Sequence, residues 1–351
     1  MVQPKSIAHT RRHLDQQRIA ALEKQASLNA VIRTIPKACF EIDAPRAWSR
    51  VALNVVLVGL GYLAIAYAPW WLLPIAWIYA GTALTGFFVL AHDCGHRSFS
   101  TSRRTNDIVG HVLLLPLLYP FHGWRLKHNQ HHTYTNQIER DNAWRPLSVA
   151  EYRALPPLAR AGYRFARGWG WWFASAVHQF TVHFRPSLFQ AKDQADARLS
   201  VAVVAGFACL LFPGLWLLGG PWAIVSFWLI PWLVYHFWMS TFTLVHHTHP
   251  DVPFYPAAHW TPVTAQLFST VHCAYPAWVE FLCHDINVHI PHHVSTAIPS
   301  YHLRRAHAAL RTHWSDYLHE TEFSWPLLRS IVRDCHLSDE TGYYVPCRNV
   351  K

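Results

Sequence analysis

Two stretches of this chain are apolar at almost every position. Residues 51–92 and 199–250 contain no Lys, Arg, Asp or Glu, and each runs for more than 40 residues. A helix needs only about 20 apolar residues to cross a hydrocarbon layer of about 30 Å. Each stretch therefore predicts two membrane-spanning helices joined by a tight turn. Pro69-Trp70-Trp71 marks the first turn and Gly219-Gly220-Pro221-Trp222 the second; tryptophan at a turn suits the membrane–water boundary. The predicted spans are about 50–68, 71–91, 200–218 and 222–245. Two shorter apolar runs, 107–121 with Pro116 and Pro120 and 262–283 with Pro276 and Glu280, read as helices lying in the interface. Residues 12–30 carry a mixed helical pattern expected of a surface helix. The fold class is thus all-α, a polytopic membrane protein with about four transmembrane helices.

Charge placement orients this picture. Every Lys and Arg lies in 1–50, 97–198 or 304–351. With an even number of spans these blocks share one side of the membrane, and the positive-inside rule makes that side cytoplasmic. The net charge of +10 is then a topology signal rather than a nucleic-acid-binding one. Composition agrees: 14% charged residues and 52% hydrophobic ones, against about 25% charged in soluble domains. Residues 1–35 have mixed charge and no apolar core of a secretory signal. The seven cysteines contain no C-x-x-C pair and are expected as reduced thiols.

The 26 histidines nearly match the 30 Lys and Arg. Three groups have the spacing of metal ligands: His92 and His96; His128, His131 and His132; His289, His292 and His293. On a helix, positions i, i+3 and i+4 share a face. Pro291 disfavours helix at Ile290, so a helix is expected to start at Pro291 with His289 just before it. The predicted topology brings all three groups, with His246 and His247 at the end of the fourth span, to one depth on one face. Eight imidazoles exceed the needs of one ion and suit two. His111, His122, His178, His183, His302 and His307 lack such spacing and read as ordinary polar side chains.

The segments around these groups resemble the membrane-bound fatty-acid desaturases with three histidine boxes, nearest the cyanobacterial and plastid acyl-lipid desaturases acting at the Δ12 (ω6) position. The resemblance rests on His92-Asp93-Cys94-Gly95-His96-Arg97-Ser98-Phe99, on Trp124-Arg125 through His128–His132 with Tyr134-Thr135-Asn136 and Asp141-Asn142-Ala143-Trp144, on His246-His247-Thr248-His249-Pro250, and on Asn287 through His293 with Ala297-Ile298-Pro299-Ser300-Tyr301. It runs over roughly residues 45–315 and divides the chain into a cytoplasmic tail (1–45), a desaturase domain (46–315) and a second cytoplasmic tail (316–351).

The resemblance implies that His92, His96, His128, His131, His132, His289, His292 and His293 hold two iron ions that activate O2. It implies a ninth ligand near the end of the last span, for which His247 is the choice and His284 the rival. It assigns Asn136 and Asp141 to orienting the second box, a role these residues share with plain loop capping. The substrate would be the acyl chain of a membrane lipid, most simply oleoyl converted to linoleoyl. The electron donor would be a separate protein, ferredoxin by resemblance, because no His-Pro-Gly-Gly haem motif is present. The location would be a bacterial inner or thylakoid membrane. An ω3 desaturase or a hydroxylase or oxygenase of the same type are the alternatives. A membrane metal transporter is a more distant one, because transporters place polar ligands at mid-membrane. Gly59-Leu60-Gly61-Tyr62-Leu63-Ala64 matches a dinucleotide motif, but inside an apolar span it has no preceding strand and is set aside.

Overall fold

The computed structural model describes residues 4–350, with side chains from Asp15 onward. Its scaffold is a set of long apolar helices. The first, Ala44–Tyr67, starts where Asp43 accepts a hydrogen bond from the Arg46 N–H, with Pro45 in the first turn. The second, Leu73–His96, carries Pro74 in its first turn and ends at Arg97 in the left-handed region (φ 65°). The third, Gln194–Ile224, has non-helical backbone at Gly219 and Gly220, the latter at φ 60°. A π-helical turn, Val225–Leu229, leads into the fourth, Ile230–His247. In one straight rod, residues 16 apart would be about 24 Å apart. The rings of Phe212 and Trp228 are 4.9 Å apart, so the chain doubles back at the glycine pair.

By length and composition, three helices among the described residues could cross a membrane: Ala44–Tyr67, Trp70–His96 and the broken Ala191–His247. All four predicted apolar segments are helical, and the second and fourth continue beyond their predicted ends, to His96 and His247, into the histidine pairs. The second helix is the buried centre. A Cβ on its Gly81 would meet the Pro231 carbonyl oxygen at 2.5 Å, so the fourth helix packs backbone against backbone there. Trp238 donates to Thr82 Oγ1 (2.8 Å) and Asn54 donates to the Ala83 carbonyl (3.1 Å), tying the fourth and first helices to the second. The first and third helices instead leave Leu53, Leu60, Leu63, Leu210 and Leu217 exposed, the surface a lipid-facing helix presents.

Several local expectations are corrected. Residues 262–283 are not one helix: a π-helical turn (Thr264–Phe268), a strand (Val271–Ala274) and a short helix (Ala277–Leu282) divide them. The strand pairs in parallel with His319–Glu322 and alternates between buried and half-buried positions. Residues 107–121 are not one helix either: a helix that starts earlier, at Arg103, ends at Leu114 ahead of Pro116, a 3-10 turn covers Leu115–Leu117, and the next helix starts at Phe121. The N-terminal pattern is two helices, Pro4–Gln25 and Leu28–Arg33, the second capped by Ser27. The third histidine group is helical from His289 itself, over His289–Val294. Residues expected as a C-terminal tail fold back: Leu337–Ser338 pairs with Leu147–Ser148, and Arg167 donates to the His336 carbonyl.

These additions form a cap over the ends of the second and fourth helices. Leu22 and Val31 from the N-terminal helices, with Ile35 just after them, pack with Leu267, Ile290, Val294, Leu303 and Leu310 in one buried cluster. The short third-group helix is thereby clamped from outside, which holds its histidines against the helix ends.

Candidate metal centre

Four helical segments deliver the imidazoles. His92 and His96 end the second apolar helix, His247 ends the fourth, His128, His131 and His132 sit in Phe121–Thr133, and the last three in His289–Val294. The nine converge as two groups. Ligand nitrogens of His92, His96, His128, His132 and His292 lie within 4.8 Å of one another, and so do those of His131, His247 and His293. His289 joins the second group, its Nε2 lying 2.9 Å from His247 Nε2 and 3.0 Å from His293 Nε2. In the first group His132 Nε2 is 3.1 Å from His128 Nε2 and 2.9 Å from His292 Nε2.

The second box is therefore split. Spacing suggested one shared face for His128, His131 and His132, but residues i and i+4 are offset by about 40° and neighbours by about 100°. His128 and His132 turn to one group and His131 to the other. The third box divides the same way, His289 and His293 against His292.

The donor set fits metal ions. Two nitrogens bound at about 2.1 Å and a right angle to one ion stand about 3 Å apart, the spacing seen here. Two neutral imidazoles facing each other through Nε2 can share at most one proton, and no carboxylate completes either group. His92 Nδ1 and His96 Nε2 are buried with no hydrogen-bond partner among the described residues. Burial first, then the neighbouring imidazoles, hold His128, His132, His289, His292 and His293 well below the usual histidine range, so all five present lone pairs.

The supporting shell orients these rings. Asp141 is buried and spends both oxygens: Oδ1 accepts from His131 Nδ1 (2.8 Å) and the Ala143 N–H (2.9 Å), and Oδ2 accepts from the Asn136 N–H (2.7 Å). With Nδ1 donating, His131 Nε2 is free to face its group. Asn136 touches no box imidazole. It adopts φ 54° and donates its side-chain amide to the Pro253 carbonyl (3.2 Å), so it shapes the loop that carries Asp141. His284, the rival ninth ligand, lies apart: its Nε2 pairs with Asn54 Oδ1 at 2.9 Å, while His247 stands inside the second group.

Sequence reasoning missed Gln266. Its Oε1 accepts from His293 Nδ1 (2.9 Å) and its Nε2 donates to the His132 carbonyl (2.5 Å), bridging the two groups. It sits in the π-helical turn of a run read only as apolar, and no spacing rule points to it. Asp141→Asn retains the size but loses the charge that favours an Nδ1–H tautomer; metal affinity and activity are expected to fall by about 10- to 100-fold. Metal content after dialysis against a chelator, measured beside wild type, checks this, and unchanged retention would show that Asp141 only caps the loop.

A cavity of about 240 Å³ adjoins the groups, lined by His128, His131, His247 and His289 together with Trp124, Met239 and Thr243. Trp124 stacks on His128 (4.8 Å between centroids, 21° between planes) and forms part of that wall.

An apolar helical scaffold that gathers nine largely buried imidazoles into two groups defines a class, the helical membrane proteins equipped to hold metal. The chain belongs to the fatty acid desaturase family, whose description matches residues 40–324. It is 53% identical over 324 residues to the sn-1 oleoyl-lipid 12-desaturase of Anabaena variabilis, covering 92% of this chain and 93% of that one. It is 55% identical over 317 residues to the protein of the same name from Synechocystis, with 90% of each chain covered. The chloroplastic omega-6 fatty acid desaturase of Brassica napus is 45% identical over 328 residues, 93% of this chain and 73% of that one. The protein is accordingly an oxidoreductase that desaturates fatty acyl chains.

Proposed function

We propose that the protein converts oleoyl to linoleoyl chains in membrane lipids, as an O2-dependent Δ12 acyl-lipid desaturase. The observation that carries the regiochemistry is the 53% and 55% identity, over nearly the whole chain, to two oleoyl-lipid 12-desaturases. The balance of the reaction is oleoyl, O2, two electrons and two protons giving linoleoyl and two waters. The methylene C–H bonds concerned are not acidic, so no side chain acting as a base can break them.

The nine histidines are assigned as ligands of two irons, five in the first group and four in the second. Such a pair supplies, when bound, the O2 activation that removal of unactivated hydrogens requires. The protein's own part is placement. The fixed imidazoles hold the site in two adjacent halves, Asp141 and Gln266 set their tautomers, and the apolar walls at Trp124 and Met239 seat the acyl chain and exclude water. The two electrons come from a separate donor, for which an acidic ferredoxin suits the Arg-rich loops. The termini and residues 97–198 lie on the cytoplasmic side, together with the imidazoles.

Fatty-acid methyl ester analysis of cells that make oleate but no linoleate tests the reading. Expression of this protein should produce 18:2 with double bonds at Δ9 and Δ12. A product desaturated at the ω3 position instead, or a hydroxylated oleate, would move the protein to one of the related activities.

A further inference from the structure

The cavity that meets the imidazole groups also meets a second set of polar side chains that the reaction does not use. Lys127, His178 and His183 line the same space as His131 and His247. The rings of His178 and His183 are 4.8 Å apart. His183 is only 3% exposed, and its Nδ1 has no hydrogen-bond partner among the described residues. A buried imidazole nitrogen left unpaired is destabilising, because it has given up water without gaining a partner. The backbone beside it is held close: a Cβ on Gly123 would meet the His183 carbonyl oxygen at 2.6 Å, and Gln179 donates to the Leu118 carbonyl at 2.8 Å.

The segment that carries His178 and His183 also presents apolar surface. On the same segment Trp172, Val177 and Phe180 are 40%, 51% and 52% exposed. An apolar surface beside a polar-lined cavity suits a molecule that approaches from the bilayer and has one polar end. A hydrocarbon chain offers no acceptor to His183 or Lys127. The ester that joins it to glycerol does: its carbonyl oxygen accepts from a neutral imidazole N–H and is favoured by a nearby ammonium. Burial first, then the Lys127 charge for His178 and the His178 ring ahead of Lys127 for His183, keep both below the usual histidine range, hence neutral.

We propose that Lys127, His178 and His183 form a subsite for the ester linkage of the glycerolipid whose acyl chain occupies the cavity. This rests on the reading of the substrate as an acyl lipid. Holding the ester fixes the first carbon, and the length of chain between it and the imidazole groups then decides which methylene is presented. The position of the new double bond is thereby measured from the carboxyl end.

The test compares equilibrium binding of tritiated dioleoylphosphatidylglycerol with that of its diether counterpart, which has the same chains and headgroup but no carbonyl. Full-length purified protein in detergent should prefer the ester by about 5- to 10-fold, the effect of one hydrogen bond. His183→Leu should remove that preference while binding the diether as before. His183→Gln, which keeps a donor, should retain part of it, and Lys127→Met should weaken it. Equal binding of ester and diether by the unaltered protein overturns the subsite. So does a His183→Leu variant, melting normally, that loses both lipids in equal measure. If the ester lipid is converted to linoleoyl yet shows no preference over the diether, only the subsite falls. If neither lipid binds and an oleoyl thioester does, the acyl-lipid reading falls with it.

Discussion

Replacing His247 by phenylalanine should abolish linoleoyl formation, a loss greater than about 100-fold, whereas His246→Phe should keep most of it. Both changes preserve a ring of similar size, so packing is held roughly constant and only nitrogens are lost. His247 Nε2 stands 3.2 Å from His131 Nε2 and 2.9 Å from His289 Nε2, at the centre of the second group. Removing even an outer partner of a metal site typically costs 10- to 100-fold, so loss of a ligand should exceed that. His246 belongs to neither group: its ring packs between Phe242 (5.8 Å) and the His289 ring (4.4 Å), and neither nitrogen has a hydrogen-bond partner among the described residues. Product analysis normalised to the amount of membrane-inserted protein decides the matter. Equal loss in the two variants would remove His247 from the ligand set.

All-or-none labelling is expected for the proposed topology. Single cysteines placed at Ala154 and Glu340 should react with an impermeant thiol reagent only when the cytoplasmic face is open, and one at Gly219 only from the opposite face. The three positions are exposed, and Gly219 has φ −174°, extended backbone that any residue adopts. The background needs little alteration, because Cys209 is exposed and the other six cysteines are buried. The reasoning is geometric. Separating any two of the four imidazole-bearing segments by the hydrocarbon layer would put about 30 Å between groups that here lie within bonding distance of common points. Labelling of the Ala154 cysteine from outside would contradict both the four-span arrangement and its orientation.

The scaffold was largely legible because membrane helices announce themselves by composition. The turn at Gly219-Gly220 could be read as well, since two glycines and a proline interrupt an otherwise apolar run. The eight box histidines were legible through spacing, but their division was not. Whether His131 faces the same point as His128 depends on where the His289–Val294 helix docks, a tertiary fact with no local signature. The choice of His247 over His284 was open for the same reason: both flank the site in sequence, and only packing shows His284 held by Asn54. Gln266 and the strand Val271–Ala274 were hidden because their partners lie far along the chain, at His132 and His293 for the one and at His319–Glu322 for the other. The folded C-terminal segment was missed because a two-residue strand such as Leu337–Ser338, paired with Leu147–Ser148 far back in the chain, leaves too weak an alternation to notice.

Metal analysis of active, purified protein tests the central claim most directly, namely that nine converging imidazoles hold two irons. The wild-type protein should contain about two iron ions per chain, and His132→Phe and His247→Phe, which strike different groups, should each bind less. An active preparation with stoichiometric zinc and no iron, or two irons retained undiminished in both variants, would contradict it.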